Sequence, residues 1–227
     1  IMAGGLGKRL QPLTNDIPKP MLQIGNKPIL QTIIEQFRAA GIKNIYISVN
    51  YKADVIIDYF GDGNNFGVQI KYLHEEKPMG TAGCLSLIDK RLEAPFFVMN
   101  ADILTDLDFA NLIDYHTKNN YFSTMCVYEH VVQIPFGVIK ADDCLIYDIK
   151  EKPSEKYLIN AGIYLLNPEV SNFVPQDDFY NMTSLFQRLI AEKKRVGIFQ
   201  VKDYWTDIGN FEDFNKANKE SRNQRPV

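Results

Sequence analysis

The start of the chain combines a glycine-rich turn with two adjacent cations. Gly4, Gly5 and Gly7 directly follow an apolar segment. Lys8 and Arg9 come next. Glycine leaves backbone N–H groups free to approach a ligand, and such groups can wrap a polyphosphate whose charge the two cations neutralise. The spacing matches neither a Walker A loop nor a GxGxxG dinucleotide loop. The residues therefore predict a phosphate cradle, although an ordinary tight turn fits the same spacing.

A lysine and two aspartates supply the charges that phosphate chemistry needs. Lys19 stands between two prolines, which mount its ammonium group rigidly. Asp102 follows the apolar segment 95–99, and Asp207 lies in the segment 204–209. Two carboxylates at strand ends can share a hard cation with triphosphate oxygens. Each residue alone is better explained as a surface lysine or as a turn or capping aspartate, so this hypothesis requires that the fold brings them together.

A second group of candidates lies in the other half of the chain. Glu151, Lys152 and Asn160 offer an acceptor, a cation and an amide close to the ends of expected strands. Such a combination suits hydroxyl groups and a phosphate. Exposed Glu-Lys pairs are common, so these residues too need a structural context.

Two further patterns are assigned structural roles. The triplet Asp106-Leu107-Asp108 resembles the DxD sequence of glycosyltransferases, but Asp108 is better interpreted as the N-cap of a helix over 109–118. His116 is expected on the polar, solvent-facing side of that helix. No two histidines have the spacing of metal ligands.

The hydrophobic pattern predicts alternating strands and helices. In the first half we expect strands at 44–49, 68–73 and 96–99, and helices at 28–39, 53–60 and 81–87. In the second half we expect strands at 123–128, 137–140, 145–150, 159–166 and 196–201, and a helix at 182–193. This order indicates an α/β fold with a mixed, mostly parallel sheet flanked by helices and a small antiparallel part. Ligands of such sheets bind at the carboxyl ends of strands.

Composition limits the class of protein. With 227 residues and 45% hydrophobic content, we expect one domain over 1–227. The net charge of −3 gives no basic face for nucleic acid, and no apolar run is long enough for a membrane span. The three scattered cysteines favour a cytoplasmic location. Ile1-Met2-Ala3 is typical of the end of a strand, so we expect a fragment of a longer chain that lacks N-terminal residues.

Taken together, these segments resemble the nucleotidyltransferase family of sugar-1-phosphate nucleotidylyltransferases. The family's opening AGGxGxRLxPLT stands unbroken at residues 3–14. Further blocks follow in the family's order: Pro18-Lys19-Pro20, Gly80-Thr81-Ala82-Gly83, Phe136-Gly137-Val138, Glu151-Lys152-Pro153, Asn160-Ala161-Gly162 and Trp205-Thr206-Asp207. The resemblance covers residues 1 to about 214 and implies a Rossmann-like fold of the glycosyltransferase A type. It also implies a nucleotide-binding half at 1–120 and a sugar-phosphate-binding half at 121–227.

The resemblance also implies roles for individual residues, a nucleoside triphosphate and a sugar 1-phosphate as substrates, and Mg²⁺ as cofactor. The residues expected to bind the nucleotide are Ala3, Gly4, Gly5, Gly7, Lys8, Glu75, Gly80 and Thr81. Those expected to act in catalysis are Arg9, Lys19, Asp102, Lys152 and Asp207, of which Asp102 and Asp207 would hold the Mg²⁺. Those expected to contact the sugar are Gly137, Glu151 and Asn160. Members of the family often form homo-oligomers, so an oligomer is possible here.

The base and the sugar are less firmly indicated. The run 75–83 resembles mannose-1-phosphate guanylyltransferases, and the Glu75 carboxylate can accept hydrogen bonds from guanine N1–H and N2–H₂. We therefore expect GTP, unless Glu75 points to solvent. Mannose 1-phosphate and glucosamine 1-phosphate both remain open. The alternatives are a UTP- or dTTP-dependent enzyme acting on glucose 1-phosphate, and a regulatory subunit that binds nucleotide sugar without turnover.

Overall fold

A computed structural model describes residues 1–88 and 92–223. Its strands are β1 (Gln23–Ile24), β2 (Lys27–Pro28), β3 (Asn44–Val49), β4 (Gln69–His74), β5 (Phe96–Met99), β6 (Ile103–Thr105), β7 (Ser123–Gln133), β8 (Val138–Asp142), β9 (Leu145–Lys150), β10 (Ser154–Leu166), β11 (Val196–Val201) and β12 (Trp205–Asp207). Its α-helices are α1 (Ile29–Ala39), α2 (Ala53–Phe60), α3 (Phe109–Lys118), α4 (Met182–Ala191) and α5 (Phe211–Asn223). Among the described residues, no helix combines the length and the apolar character that crossing a bilayer requires.

The central sheet contains both parallel and antiparallel neighbours. β3 and β4 run parallel. Met2 forms parallel bridges to Ser48 in β3 and to Asn100 just after β5, so the start of the chain lies between these strands. β10 pairs antiparallel with both β5 and β7, and β11 runs parallel to β7. The mixed α/β architecture expected from the sequence is confirmed, and one sheet spans both halves of the chain.

Helices cover both faces of this sheet. Successive side chains of a strand point to opposite faces. In β10, Ile163 and Leu165 therefore join one apolar cluster, which also contains the inward stripe of α1. Tyr164 and Leu166 join a second cluster, which contains Leu189 and the rest of the apolar stripe of α4. Because both faces are covered, the loops at the strand ends are left to form a site.

One helix expected from the sequence does not form as an α-helix. We expected a helix over 81–87, but the structure has a 3-10 helix at Gly83–Leu87 only. The N–H groups of Ala82 and Gly83 both donate to the carbonyl of Tyr180, at 2.8 and 3.1 Å. A Cβ on Gly83 would lie 2.4 Å from the Asp178 carbonyl oxygen. Close packing against the segment before α4 therefore replaces the first helical turn.

His116 is buried, which contradicts the surface position expected for it. Only 2% of its surface is exposed. Its Nδ1 lies 2.8 Å from Thr124 Oγ1, and its Nε2 lies 2.9 Å from Asn167 Oδ1. Because the Asn167 amide nitrogen donates to the Tyr121 carbonyl, its oxygen is left to accept from Nε2–H. The ring thus joins α3 to β7 and to the segment after β10. The expected N-cap Asp108 is confirmed, since its side chain accepts from the Asn111 N–H.

Replacing His116 with leucine is expected to lower the free energy of unfolding by about 2–4 kcal/mol, because the buried Thr124 hydroxyl and the partly buried Asn167 Oδ1 would each lose a hydrogen-bond partner. Chemical denaturation measures this change. The matched control is His130→Leu, because His130 is exposed on β7 and its replacement should stay within about 0.5 kcal/mol. Equal effects of the two substitutions would contradict the structural role given to His116.

Candidate functional site

The glycine-rich turn is held in place from beneath by Thr14. Gly7 adopts a left-handed conformation with φ 60° and leads into a 3-10 helix at Lys8–Leu10. The Thr14 hydroxyl donates to the Gly7 carbonyl at 2.9 Å. A Cβ on Gly7 would lie 3.0 Å from Thr14 Cγ2 and 3.2 Å from Lys19 Cβ. Both the backbone conformation and the close packing therefore require glycine, and they bring the turn against Lys19.

This turn forms one wall of a cavity of about 260 Å³. The residues that line it are Met2, Ala3, Gly5, Gly7, Lys8, Arg9, Leu10, Lys19, Pro20, Ala101, Asp102 and Gly209. The structure thus brings together seven of the residues singled out in the sequence. Ala101 and Gly209 were not singled out, although their positions beside the two aspartates could have marked them. We call this space the glycine-loop cavity.

The two aspartates meet because two short strands pair. β12 runs antiparallel to β6, with Asp207 opposite Ile103. The Ile208 N–H also donates to the Asp102 carbonyl at 3.0 Å. Asp102 and Asp207, which are 105 positions apart in the chain, therefore become neighbours. Neither strand is long enough to be recognised from the sequence, since each has three residues.

Lys19 lies between the two carboxylates. Its Nζ donates to Asp102 Oδ2 and lies 3.7 Å from Asp207 Oδ1. The Lys19 side chain is only 12% exposed, whereas that of Asp207 is 43% exposed. Asp102 Oδ1 and Asp207 Oδ1 are buried and have no hydrogen-bond partner among the described residues. The predicted grouping of Lys19, Asp102 and Asp207 is thus present, with buried oxygens free for a further cation.

The pKa of Asp207 is raised above its ordinary value. Burial is the main cause, and the neighbouring Asp102 carboxylate adds to it. Lys19 and Arg9 act in the opposite direction. A Cβ on Gly209 would lie 3.7 Å from Asp207 Oδ2 and 3.9 Å from Arg9 Nη1, which shows how near the guanidinium is. Burial and the Asp102 carboxylate therefore disfavour the ionised form of Asp207 more than Lys19 and Arg9 favour it.

Replacing Asp207 with asparagine is expected to stabilise the metal-free chain increasingly as the pH rises. The pKa of Asp207 is raised in the folded state above 3.8, so the folded state holds this proton more tightly than the unfolded state does. Stability is consequently lost as the carboxyl ionises, from about pH 4 upward. Thermal melts in EDTA should show that the excess melting temperature of the variant grows between pH 4 and 7.

The control is Asp16→Asn, because the Asp16 side chain is 99% exposed. The difference in melting temperature between this variant and the wild-type chain should not change with pH. For Asp207→Asn, a melting-temperature difference that stays constant or shrinks with rising pH would contradict the prediction. It would show that Lys19 and Arg9 fully offset the cost of burying the charged carboxylate.

A second cavity, of about 410 Å³, has Asp207 in its wall. Its lining includes Asp207, Thr81 and Asn160, together with residues to which the sequence analysis gave no ligand contact: Asn100, Ile103, Ile159, Ala161, Gly162, Tyr164, Asn181, Met182, Thr183 and Trp205. Thr81 accepts a hydrogen bond from the Met182 N–H at 2.8 Å and so caps α4. Thr81, expected at the nucleotide, therefore lies in the wall of this second cavity.

Three of the expected sugar-phosphate residues lie at the base of the β8–β9 hairpin. A Cβ on Gly137 would be 3.2 Å from Glu151 Oε2, so these two residues are adjacent. Glu151 and Lys152 are exposed, and Lys152 has a φ of 43°. No hydrogen bond or ion pair within residues 1–88 and 92–223 joins Lys152 to Asp102 or Asp207. Their proposed contact with a ligand stays a prediction.

Glu75 does not point to solvent. It is 8% exposed, and its Oε2 accepts from the Met79 N–H at 3.2 Å. A Cβ on Gly4 would lie 3.0 Å from Glu75 Oε1, so the carboxylate packs directly against the glycine-rich turn. Gly80, with φ 72°, leaves no room for a side chain because a Cβ there would meet the Tyr180 carbonyl oxygen at 2.6 Å. Glu75 is therefore placed beside the predicted nucleotide-binding turn.

The fold and the site define a class of protein. It is an α/β protein in which one cavity is lined by the glycine-rich turn and by the cations Lys8, Arg9 and Lys19, and a second cavity is lined by several polar side chains. Lys19 and Asp102 line the first cavity, Asp207 lines the second, and Lys19 contacts both carboxylates, so this group joins the two cavities. Such a junction suits the transfer of a charged group between two ligands.

Comparison with known proteins agrees with this class. Residues 1–224 match the sequence profile of the Nucleotidyl transferase family, and the chain belongs to that family. It is 37% identical over 222 residues to mannose-1-phosphate guanyltransferase of Yarrowia lipolytica, covering 94% of this chain and 61% of the relative. It is 34% identical to the Saccharomyces cerevisiae protein of that name, covering 94% and 62%. The chain thus spans about three-fifths of the length of these curated relatives.

A solved structure shares nearly the whole fold. HddC from Yersinia pseudotuberculosis, complexed with GMP-PN, superposes with a TM-score of 0.74 at 30% identity. The match covers 96% of this chain and 96% of HddC. The Rossmann-like architecture expected from the sequence is thus confirmed.

Proposed function

We propose that the chain transfers a nucleotidyl group from a nucleoside triphosphate to a sugar 1-phosphate. The observation that carries this proposal is the position of Lys19, Asp102 and Asp207 between the two cavities. Membership of the Nucleotidyl transferase family and the names of the relatives support it. The products are a nucleoside diphosphate sugar and pyrophosphate.

The mechanism follows from the charges. The triphosphate lies in the glycine-loop cavity, where backbone N–H groups, Lys8 and Arg9 hold its oxygens. A phosphate oxygen of the sugar 1-phosphate attacks the α-phosphorus from the opposite side. One P–O bond forms, the bond between the α-phosphorus and the bridging oxygen breaks, and pyrophosphate leaves with the electron pair. The attacking phosphate is already ionised, so no protein base or nucleophile is required, and Lys19 neutralises charge at the reacting phosphates.

The acid pair suits Mg²⁺. Magnesium prefers oxygen ligands and is commonly held by one or two carboxylates together with substrate phosphates. The buried Asp102 Oδ1 and Asp207 Oδ1 have no hydrogen-bond partner among the described residues, and they fit this requirement. Among those residues no group of three or more His, Cys, Asp or Glu side chains could hold a metal. When bound, Mg²⁺ would supply positive charge that stabilises the phosphate oxygens during the transfer.

The proposal includes GTP as the preferred nucleotide and mannose 1-phosphate as the preferred sugar. The relatives are named mannose-1-phosphate guanyltransferases, and HddC was crystallised with GMP-PN. The buried Glu75 carboxylate beside Gly4 can accept from the N1–H and N2–H₂ of guanine, whereas the carbonyl oxygens of uracil or thymine would repel it. Glucosamine 1-phosphate is the second candidate for the sugar.

Two further expectations remain part of the proposal. A cytoplasmic location fits the unpaired Cys84, Cys126 and Cys144. A homo-oligomer is possible, as the family resemblance implies, and sedimentation of the purified chain would test it. We propose neither nucleic acid nor a membrane as a partner of the chain.

Pyrophosphate release tests the proposal. The chain should be assayed with Mg²⁺, with GTP, UTP, dTTP, CTP and ATP each paired with mannose, glucose, glucosamine and N-acetylglucosamine 1-phosphates. We expect the highest rate with GTP and mannose 1-phosphate. A preference for UTP or dTTP would overturn the role of Glu75 alone. Nucleotide binding without any release would favour a regulatory subunit.

The variant Glu75→Gln sharpens the assignment of the base. A glutamine amide presents a donor where the carboxylate has only acceptors, so the preference for GTP over UTP should fall about tenfold or more. Glu76→Gln is the matched control, because Glu76 is exposed. Equal base preferences in both variants and the wild-type chain would remove Glu75 from base recognition.

A further inference from the structure

The second cavity contains an amide that the sequence patterns did not mark. Asn100 directly follows β5, and its side chain lines the cavity together with Asp207. Its Oδ1 is buried and has no hydrogen-bond partner among the described residues. Its backbone is fixed by a hydrogen bond from its N–H to the Gly162 carbonyl at 3.0 Å. The fold therefore fixes the backbone from which the carboxamide projects, although the carboxamide oxygen is unpaired.

Gly162 makes the room that this carboxamide occupies. A Cβ on Gly162 would lie 2.8 Å from Asn100 Nδ2 and 3.1 Å from Asn100 Cγ. The φ of Gly162 is 70°, a conformation that also favours glycine. The backbone opposite Asn100 is thus shaped to accept the amide at the cavity wall.

Asn160, the amide that the sequence did mark, is already engaged. Its Oδ1 accepts from the Gly162 N–H at 2.9 Å. Its Nδ2 donates to the Tyr164 hydroxyl at 2.7 Å. Asn160 therefore fixes the turn at Gly162 and retains one N–H for a ligand, whereas the oxygen of Asn100 is entirely unused.

Buried polar atoms without partners are rare in folded proteins, and each one calls for a partner such as a ligand or water. A hydroxyl group is the ligand chemistry that fits an amide best, because it can donate to the carboxamide oxygen and accept from the carboxamide nitrogen. A phosphate offers only acceptors when ionised, so it would leave Oδ1 unpaired. Asn100 stands two residues before Asp102, which places such a hydroxyl close to the acid pair.

We propose that the Asn100 carboxamide binds a hydroxyl group of the sugar 1-phosphate and helps to select the sugar. This inference rests on the proposed function, since it takes the second cavity to be the sugar site. Asn100 acts in recognition, so its loss should weaken the use of the sugar and leave the use of the nucleotide unchanged.

Singly deoxygenated sugar phosphates test the proposal. With the nucleotide and hexose 1-phosphate that give the highest rate, kcat/KM is measured for the parent sugar and for its 2-, 3-, 4- and 6-deoxy analogues. The wild-type chain should lose about 3- to 10-fold on one analogue. Asn100→Ala should lose a similar factor on the parent sugar and no longer distinguish that analogue from it. Its KM for the nucleotide should stay within about twofold, since its hydrogen bond is made to the sugar.

Asn44→Ala is the matched control, because Asn44 is exposed at the start of β3 and should behave as the wild-type chain does. Asn100→Ser provides a second variant that keeps a small polar group, should the alanine variant fold poorly. Unchanged discrimination against every analogue in a folded Asn100 variant, or a raised nucleotide KM, would overturn the role of Asn100 alone. Absence of turnover and of sugar-phosphate binding in the wild-type chain would remove both this proposal and the proposed function.

Discussion

Replacing Asp102 with asparagine is expected to lower kcat by about a thousandfold, because one of the two carboxylates available to a hard cation at the reacting phosphates is lost. The substitution keeps the size of the side chain, and it removes a charge that repels Asp207. The fold should therefore be retained, and the affinity for nucleotide without Mg²⁺ should change little. Steady-state kinetics and calorimetric titration with nucleotide, with and without Mg²⁺, measure these effects.

Asp108→Asn is the matched control for this substitution. Asp108 caps α3, and asparagine caps a helix about as well as aspartate does. It should leave kcat and the melting temperature unchanged. An Asp102→Asn variant that retains more than about a tenth of wild-type activity would show that this carboxylate is not required for the reaction.

Replacing Lys19 with methionine is expected to lower kcat/KM by about 10²–10³-fold. The ammonium group pairs with both carboxylates and lies in the wall of the glycine-loop cavity. Methionine has a similar length and no charge, so the variant would bring two carboxylates and a polyphosphate together without this cation. Activity should be lost at all substrate concentrations, since the missing charge acts on the reacting phosphates.

Lys27→Met provides the control, because Lys27 forms a comparable ion pair with Glu35 on the surface. It should change kcat/KM by less than about twofold, as expected of a surface ion pair outside the site. Equal activity of the two methionine variants would mean that Lys19 serves only to pair the carboxylates in the folded chain.

The parts of the site that depend on local sequence were predictable. The turn at Gly4, Gly5 and Gly7 is determined by residues close together in the chain, and its conformation follows from glycine and from Thr14 beneath it. Long strands and helices with clear periodicity, such as β3 and α2, were also placed correctly. Their patterns reflect burial of one face, which a sequence records directly.

The parts that depend on distant contacts were not predictable in the same way. Asp102 and Asp207 meet through two three-residue strands, which are too short to show a period. His116 is buried by hydrogen bonds to Thr124 and Asn167, and no local pattern encodes these partners. The local pattern of segment 81–87 predicts an α-helix. The hydrogen bonds to the Tyr180 carbonyl that replace the first turn come from a distant part of the chain, and the local pattern does not record them.

Asn100 illustrates the same limit at the level of function. An asparagine after an apolar strand is ordinary in sequence, and only the structure shows that this residue lines a cavity and has a buried, unpaired side-chain oxygen. Glu151 and Lys152 illustrate the reverse case. Their motif is distinctive, yet the fold leaves them exposed at the base of a hairpin. Motifs thus identify the family more securely than they identify the contacts of each residue.

Nucleotidyl transfer to a sugar 1-phosphate can be followed by ³¹P NMR of the reaction mixture, because substrates and products have distinct phosphorus signals. The chain is incubated with Mg²⁺, mannose 1-phosphate and GTP, and the phosphorus signals are followed with time. If the chain transfers a nucleotidyl group, pyrophosphate and a sugar-linked diphosphate diester should appear in equal amounts while the sugar monophosphate signal declines. Formation of GDP and inorganic phosphate with the sugar phosphate unconsumed would contradict it.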